Sequence, residues 1–247
     1  MEQKKSKHSR KYEVSFFRLI LFIVCIAIML ISGFHIVKWF RENKKSKANI
    51  EKIQEIVATN EDATTFSFDK LKQQNSDTVA WLKVEGTNIE YPVVKASDNL
   101  YYLEHSFDKS ENGAGWIFAD YNNKFDGTDK NIVIFGHNRR DGSMFGSLKN
   151  VLEKEWCENE KNKYITLITE KGEIKYEVFS VYKVENEDYY IKNRFKNNDE
   201  FAELVKTVKE RSIYNFENTV EKSDKILTLS TCADNNRYRV VLHAKKI

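Results

Sequence analysis

Three side chains of this 247-residue sequence could do covalent chemistry together. Cys232 ends an alternating run, Lys225 to Thr231, with Leu227 and Leu229 on one face and Thr228 and Ser230 on the other, the pattern of a half-buried strand. Asp234, Asn235 and Asn236 are turn formers, and Arg239 to Ala244 reads as the returning strand, so Cys232 and Arg239 are expected at one end of a sheet. Lys130 to His137 has the same design, an apolar strand broken by Gly136 with His137 just past its end. A thiol attacks as its thiolate, which a neighbouring imidazolium and guanidinium stabilise. In such a site His137 holds the proton and returns it to a leaving amine. Arg239 hydrogen-bonds the carbonyl oxygen on which charge builds in the tetrahedral intermediate. Arginine suits that task because it stays charged at any working pH and presents a fixed fork of donors. The expected chemistry is cleavage and transfer of an amide bond.

Each of these residues also has a plainer reading. A cysteine at a strand end often serves as a small core residue, and a Cys157–Cys232 disulfide would consume the thiol. Among the other histidines, His8 and His35 fall in the tail and in an apolar run. His105 lies in a Tyr-rich loop as a surface or packing residue, and His243 shares a strand face with Arg239 farther from the rim. Arg237 is a loop charge, whereas Arg239 begins a strand and has a fixed direction. Cys25, Cys157 and Cys232 form no regular set, and no CxxC, HExxH or carboxylate loop is present, so neither metal nor cofactor is expected.

The elements that must position these residues follow from periodicity and charge. The net charge of +3 divides unevenly: residues 1–47 carry +8, leaving −5 on the remainder. Basic residues therefore flank one apolar stretch and the globular part is mildly acidic, which argues against a nucleic-acid partner. Leu19 to Val37 is almost wholly apolar and spans roughly 28 Å as a helix, the thickness of a bilayer core. Large residues follow it where a signal peptide would end in small ones, so the reading is an uncleaved membrane anchor with the amino terminus inside.

The expected organisation is a basic cytoplasmic tail (1–18), a membrane-spanning anchor (19–37), a helical stalk with amino-terminal helices (38–78) and a catalytic barrel (79–247). Helical spacing is read from Ala48 to about Asn60 and again from Phe68 to Gln74, with a break at Thr64-Thr65. Short strands follow at Ala80–Val84, Asn88–Val94, Gly115–Ala119, Asn131–Phe135, Lys163–Thr169 and Ile174–Val184, the last with Ile174, Tyr176, Val178 and Tyr182 on one face. A late helix, capped by Asn198 or Asp199, carries Phe201, Leu204, Val205 and Val208 as its apolar stripe. The fold class is mainly β with accessory helices, and many short strands argue for a closed barrel.

TLSTC at 228–232 followed by RVVLHAK at 239–245, together with FGHN at 135–138, resembles the catalytic signature of the sortases. The similarity continues through AWLKVEGTNIEYPVV (80–94), GWIFADYNN (115–123) and MFGSLKN (144–150), and the late helix and helical amino-terminal segment point to class B. The resemblance implies an eight-stranded sortase-type β-barrel anchored in the membrane of a Gram-positive bacterium, acting as a cysteine transpeptidase. Cys232 then attacks the threonine carbonyl of an NPQTN-like C-terminal sorting signal on a surface protein. An amine of a lipid-linked peptidoglycan precursor resolves the thioester.

The substrate-groove positions carry over as Asn99, Leu103, Tyr190, Ile191, Ser230 and Thr231, and Asp234 matches an acidic position often found there. Phe135 stands where some members carry Tyr, and the loop Glu185 to Tyr189 is unlike that of other members. Against the groove reading, Tyr189 to Ile191 could simply cover the barrel and Asn99 could cap a helical turn. The competing functions are a pilin-polymerising sortase, a hydrolytic cysteine protease and a non-enzymatic membrane-tethered β-domain.

Overall fold

The structure, a computed structural model, describes residues 5–58, 68–185, 187–233 and 237–247; the side chains of 5–15, 56–58, 232 and 233 fall outside that description. The Thr64-Thr65 break and the turn at Asp234 to Asn236 lie outside the described residues, as do the Cys232 thiol and the Asp234 carboxylate. The chain divides into two compact units, Met1–Lys45 and Ser46–Ile247. From Lys5 the first unit is helical, belonging to α1 (Lys5–Ala58), whose last turns are counted in the second unit. Among the described residues it is the one helix long and apolar enough to cross a membrane. Its apolar side chains, among them Leu21, Ile28, Leu30 and Phe34, are exposed, which suits a lipid environment.

In the second unit the last turns of α1 contribute Ile53 to the core, and Ser46 accepts a hydrogen bond from Asn112 Nδ2 at 3.0 Å. Helix α2 (Phe68–Gln74) follows as expected, burying Phe68 and Leu71. Eight strands then close a barrel: β1 (Thr78–Val84), β2 (Glu90–Val94), β3 (Phe118–Ala119), β4 (Asn131–Gly136), β5 (Tyr164–Thr169), β6 (Gly172–Glu185), β7 (Ile226–Ala233) and β8 (Tyr238–Lys246). Their order around the barrel is β1-β2-β3-β4-β7-β8-β6-β5. The pairs β2–β3 and β4–β7 are parallel and the rest antiparallel.

Side-chain chemistry adjusts several strand limits. The expected start of β2 at Asn88 moves to Glu90 because Thr87 Oγ1 donates to Val84 O (2.8 Å) and accepts from Ile89 N (3.0 Å), closing a turn. Strand β3 is only two residues long, which leaves the first half of β4 short of a backbone partner. The buried amide of Asn123 fills that gap, donating to Asn131 O at 2.7 Å and accepting from Val133 N at 2.9 Å. In β6 the pairing register shifts between Val178 and Ser180. A one-residue irregularity moves every later side chain to the other face. Tyr176 and Val178 therefore point into the barrel, whereas Tyr182, expected on their face, lies outside it against α4 (Asn198–Glu210).

Helix α4 covers the outer face of β6, β7 and β8. The cap is Asn197, whose Oδ1 accepts from Glu200 N at 2.9 Å, in place of Asn198 or Asp199. Phe201, Leu204, Val205 and Val208 are buried in a second apolar cluster with Phe179, Tyr182, Tyr190 and Val241. Each such side chain contributes about 1.5–3 kcal/mol of burial. Between α3 (Lys154–Glu158) and the barrel, Cys157 is a free thiol, buried, with Sγ 3.3 Å from Val151 O. The Cys157–Cys232 bridge considered from the sequence is therefore not formed.

His243, fully enclosed in this outer layer, is held neutral: burial pulls its pKa down to about 3. In the unfolded chain its value is about 6.5, so below that pH the unfolded state binds a proton that the folded state refuses. The stabilisation is complete above pH about 6.5 and is lost as pH falls toward the folded-state value, at about 1.4 kcal/mol per unit. The Tm of wild type is accordingly expected to drop more steeply than that of His243→Gln across this window, as read by calorimetry. Parallel curves would mean that His243 takes up no proton on unfolding.

Candidate active site

The parallel register of β4 and β7 runs from Asn131↔Ile226 to Gly136↔Thr231, so the next residues along the two strands are His137 and Cys232. Thr231 Oγ1 donates to Gly136 O at 2.6 Å and ties the two strand ends together. On its other edge β7 pairs with β8, placing Cys232 directly opposite Arg239. Three neighbouring strands thus bring the three expected positions to one rim of the barrel.

Contacts from distant parts of the chain fix the His137 ring. Its Nε2 lies 2.8 Å from the carbonyl oxygen of Leu103. A carbonyl only accepts, so Nε2 carries the proton and Nδ1 is the basic nitrogen of the neutral ring. Leu103 ends a short 3-10 turn (Tyr101–Leu103), whose first amides are held by Asp98: its Oδ1 accepts from Leu100 N at 2.8 Å and Tyr101 N at 2.9 Å. Those two bonds hold the Asp98 carboxyl below its ordinary value. The capping alternative considered for Asn99 therefore belongs to Asp98. The Asn99 amide instead donates to Asp120 Oδ2 at 2.8 Å and accepts from Tyr121 N at 3.0 Å.

Gly115 forms the floor beneath the ring. Its φ of +58° is unfavourable for any residue with a Cβ, and a Cβ there would sit 2.7 Å from His137 Cδ2 and 2.7 Å from Tyr102 O. The left-handed conformation alone costs roughly 1–2 kcal/mol for an L side chain. Gly115→Ala is expected to lower Tm by about 4 °C or more, and a displaced ring to lower kcat/KM by roughly ten- to a hundredfold. Thermal melts and steady-state kinetics check both; unchanged kinetics would mean that the ring does not rest on this floor.

Beside His137 opens a cleft of about 260 Å³, lined by Asn99, Leu103, Phe118, Phe135, Gly136, His137, Glu187, Asp188, Tyr190, Ile191, Ser230, Thr231 and Arg239. All eight described positions singled out from the sequence face this one space. Tyr190 is buried in its wall, with Oη 2.9 Å from Ser230 Oγ, and burial raises its phenol pKa. The 3-10 turn Tyr189–Ile191 therefore both covers the barrel and lines the cleft.

Sequence reasoning missed two features. Asp120, within the GWIFADYNN segment, is buried and joins the two cleft walls: it accepts from Asn99 at 2.8 Å and from Asn193 Nδ2 at 2.7 Å. Glu187 and Asp188 bring two carboxylates to the rim, Glu187 being bound by Arg211 at 3.0 Å. The hint was the unusual loop in which they occur. Phe135, which replaces a possible tyrosine, packs on Phe118 with ring centroids 5.4 Å apart and makes that part of the wall apolar.

This geometry can accept an extended peptide beside a strand-end cysteine, with an imidazole and a guanidinium on either flank. Residues 82–247 match the sortase domain family. Sortase B of Staphylococcus aureus is 32% identical over 238 residues, spanning 94% of this chain and 97% of that protein. Sortase B of Listeria monocytogenes is 34% identical over 245 residues, spanning 94% and 98%. A solved Staphylococcus aureus sortase B–substrate complex, at 32% identity, covers 84% of this chain and 98% of its own with a TM-score of 0.75. With relatives of this identity matched along nearly the whole chain, the chain belongs to the sortase family of cysteine transpeptidases, in class B.

Proposed function

We propose that this sortase cleaves an NPQTN-like C-terminal sorting signal after its threonine and joins the released surface protein to an amine of a lipid-linked peptidoglycan precursor. The observation that carries the reading is the cleft on which His137, Arg239 and the groove positions converge beside the strand end bearing Cys232. Cys232 passes its thiol proton to His137 Nδ1, the thiolate attacks the threonine carbonyl carbon, and Arg239 donates to the resulting oxyanion. Collapse expels the amine of the following residue, which takes its proton from His137 Nδ1, and a thioester remains. The incoming amine then attacks the thioester, His137 accepts its proton and the thiolate departs.

Asn99 and Leu103 on one wall and Tyr190, Ile191, Ser230 and Thr231 on the other hold the peptide. That the staphylococcal relative was solved as a substrate complex supports a substrate-binding role for this family member. Residues 1–18 form the cytoplasmic tail, 19–37 the membrane span and 38–78 the stalk, with the barrel from 79 to 247 outside the cell. The exposed apolar helix supports the span.

Full-length protein in detergent, given a fluorogenic NPQTN-type peptide and excess amine, is expected to yield a product carrying the amine. Hydrolysis alone across a panel of wall-derived amines would contradict transfer.

A further inference from the structure

Beneath the cleft wall runs a buried chain of side chains that the reaction itself does not use. Asn131, at the start of β4, donates from Nδ2 to the carbonyl oxygen of Lys192 at 2.9 Å and, at 3.4 Å, to that of Tyr190. Its Oδ1 accepts from Thr228 Oγ1 at 2.8 Å. A hydroxyl has one proton, so Thr228 must accept at its other contact, His243 Nδ1 at 2.9 Å. That nitrogen is then the protonated one, and His243 Nε2 accepts from Tyr182 Oη at 2.9 Å. Every donor from Tyr182 to Asn131 therefore points the same way, toward the strap Tyr190–Lys192. Asn131, Thr228 and His243 have no exposed surface and Tyr182 has 1%.

We propose that Asn131 is a positioning residue for the sorting-signal cleft, clamping the Tyr190–Lys192 strap to β4, and that Thr228, His243 and Tyr182 hold its amide in the orientation that clamps. The orientation matters because a flipped amide would set its oxygen against two carbonyl oxygens. The strap carries Tyr190 and Ile191 into the cleft, and its other polar ties are the Tyr190–Ser230 contact, the Lys192 Nζ bond to Glu200 Oε1 at 2.5 Å and, one residue on, the Asn193 bond to Asp120. Releasing the middle tie lets the wall move while leaving His137 and Arg239, on other segments, in place. Aligned hydrogen bonds in a dry interior reinforce one another, so the four residues act as one unit.

This inference rests on the cleft taking a sorting peptide. Full-length enzyme is assayed with an NPQTN-type peptide, with active sites counted by thiol alkylation. Asn131→Ala and Thr228→Val are each expected to raise KM by about 5- to 20-fold with kcat within about twofold. The double variant matches the weaker single variant within about twofold, because both break the same chain. Thr228→Ser, which keeps the hydroxyl, restores the wild-type KM. A purely structural role would instead lower Tm and the count of active sites at constant KM, and that result overturns the proposal.

Nitrogen-15 NMR of the wild type at neutral pH is expected to show His243 protonated at Nδ1; protonation at Nε2 overturns the chain even if the variants fail to fold. A wild type inactive on every sorting peptide would count against the proposed function, whereas an active wild type whose variants keep its KM would count only against the clamp.

Discussion

Cys232→Ala is expected to lower kcat/KM for a sorting peptide by about 10⁴-fold or more while leaving peptide binding nearly intact. The size follows from the chemistry. Without a nucleophile no thioester can form, and what remains is the stabilisation that His137, Arg239 and the cleft give to attack by water. Folding should be unaffected, because β7 is secured by backbone pairing on both edges and by Leu227 and Leu229, which pack inside the barrel. Cys232→Ser should be nearly as inactive, since a hydroxyl in the same place ionises far less readily than a thiol. Steady-state kinetics with a tight-binding peptide as a separate affinity probe check both statements; retained turnover in either variant would reject Cys232 as the nucleophile.

The second large effect belongs to Arg239. It stands on β8 between Val184 of β6 and Cys232 of β7, so both flanks of its backbone are paired and its direction is set. Arg239→Ala is expected to lower kcat by about 10²- to 10³-fold with a much smaller change in KM, the signature of a donor that acts on charge present only in the transition state. Arg239→Lys should recover little, because a single ammonium does not reproduce the planar fork. Arg237 supplies the internal control. Its side chain is 71% exposed, 3.7 Å from Glu185 and over the Tyr238 ring, so Arg237→Ala should stay within about threefold of wild type. If the two alanine variants changed places in this assay, the assignment of the oxyanion donor would be wrong.

The parts of the fold legible in the sequence are those set by local period. The alternation of Leu227 and Leu229 with Thr228 and Ser230 appears in the structure as barrel core on one side and polar ties to His243 and Tyr190 on the other. The stripe of α4 and the closed barrel were readable for the same reason. Positions at strand ends were readable in their placement, because strand register converts sequence position directly into place. His137, Cys232 and Arg239 fall in that class.

What was not legible depends on contacts between segments far apart in the chain. No local pattern marks Leu103, 34 residues before His137, as the carbonyl that sets the imidazole tautomer. Nothing near Asp120 shows that it joins Asn99 to Asn193 across the cleft. The sequence pattern puts Tyr182 on the face opposite to its real one, because the register shift after Val178 has no glycine to announce it. His243 lies far from the rim, and no local pattern shows that it links Tyr182 to Thr228 beneath the strap.

The most direct test of the account is a search for the acyl-enzyme. Full-length wild-type protein, mixed with a sorting peptide in the absence of added amine and quenched in acid, is examined by intact-mass and peptide-fragment mass spectrometry. A mass increase equal to the peptide portion up to and including threonine is expected, located on Cys232, removed by added amine and absent from Cys232→Ala. Peptide cleavage without any adduct on Cys232, or an adduct on another residue that amine fails to release, would contradict it.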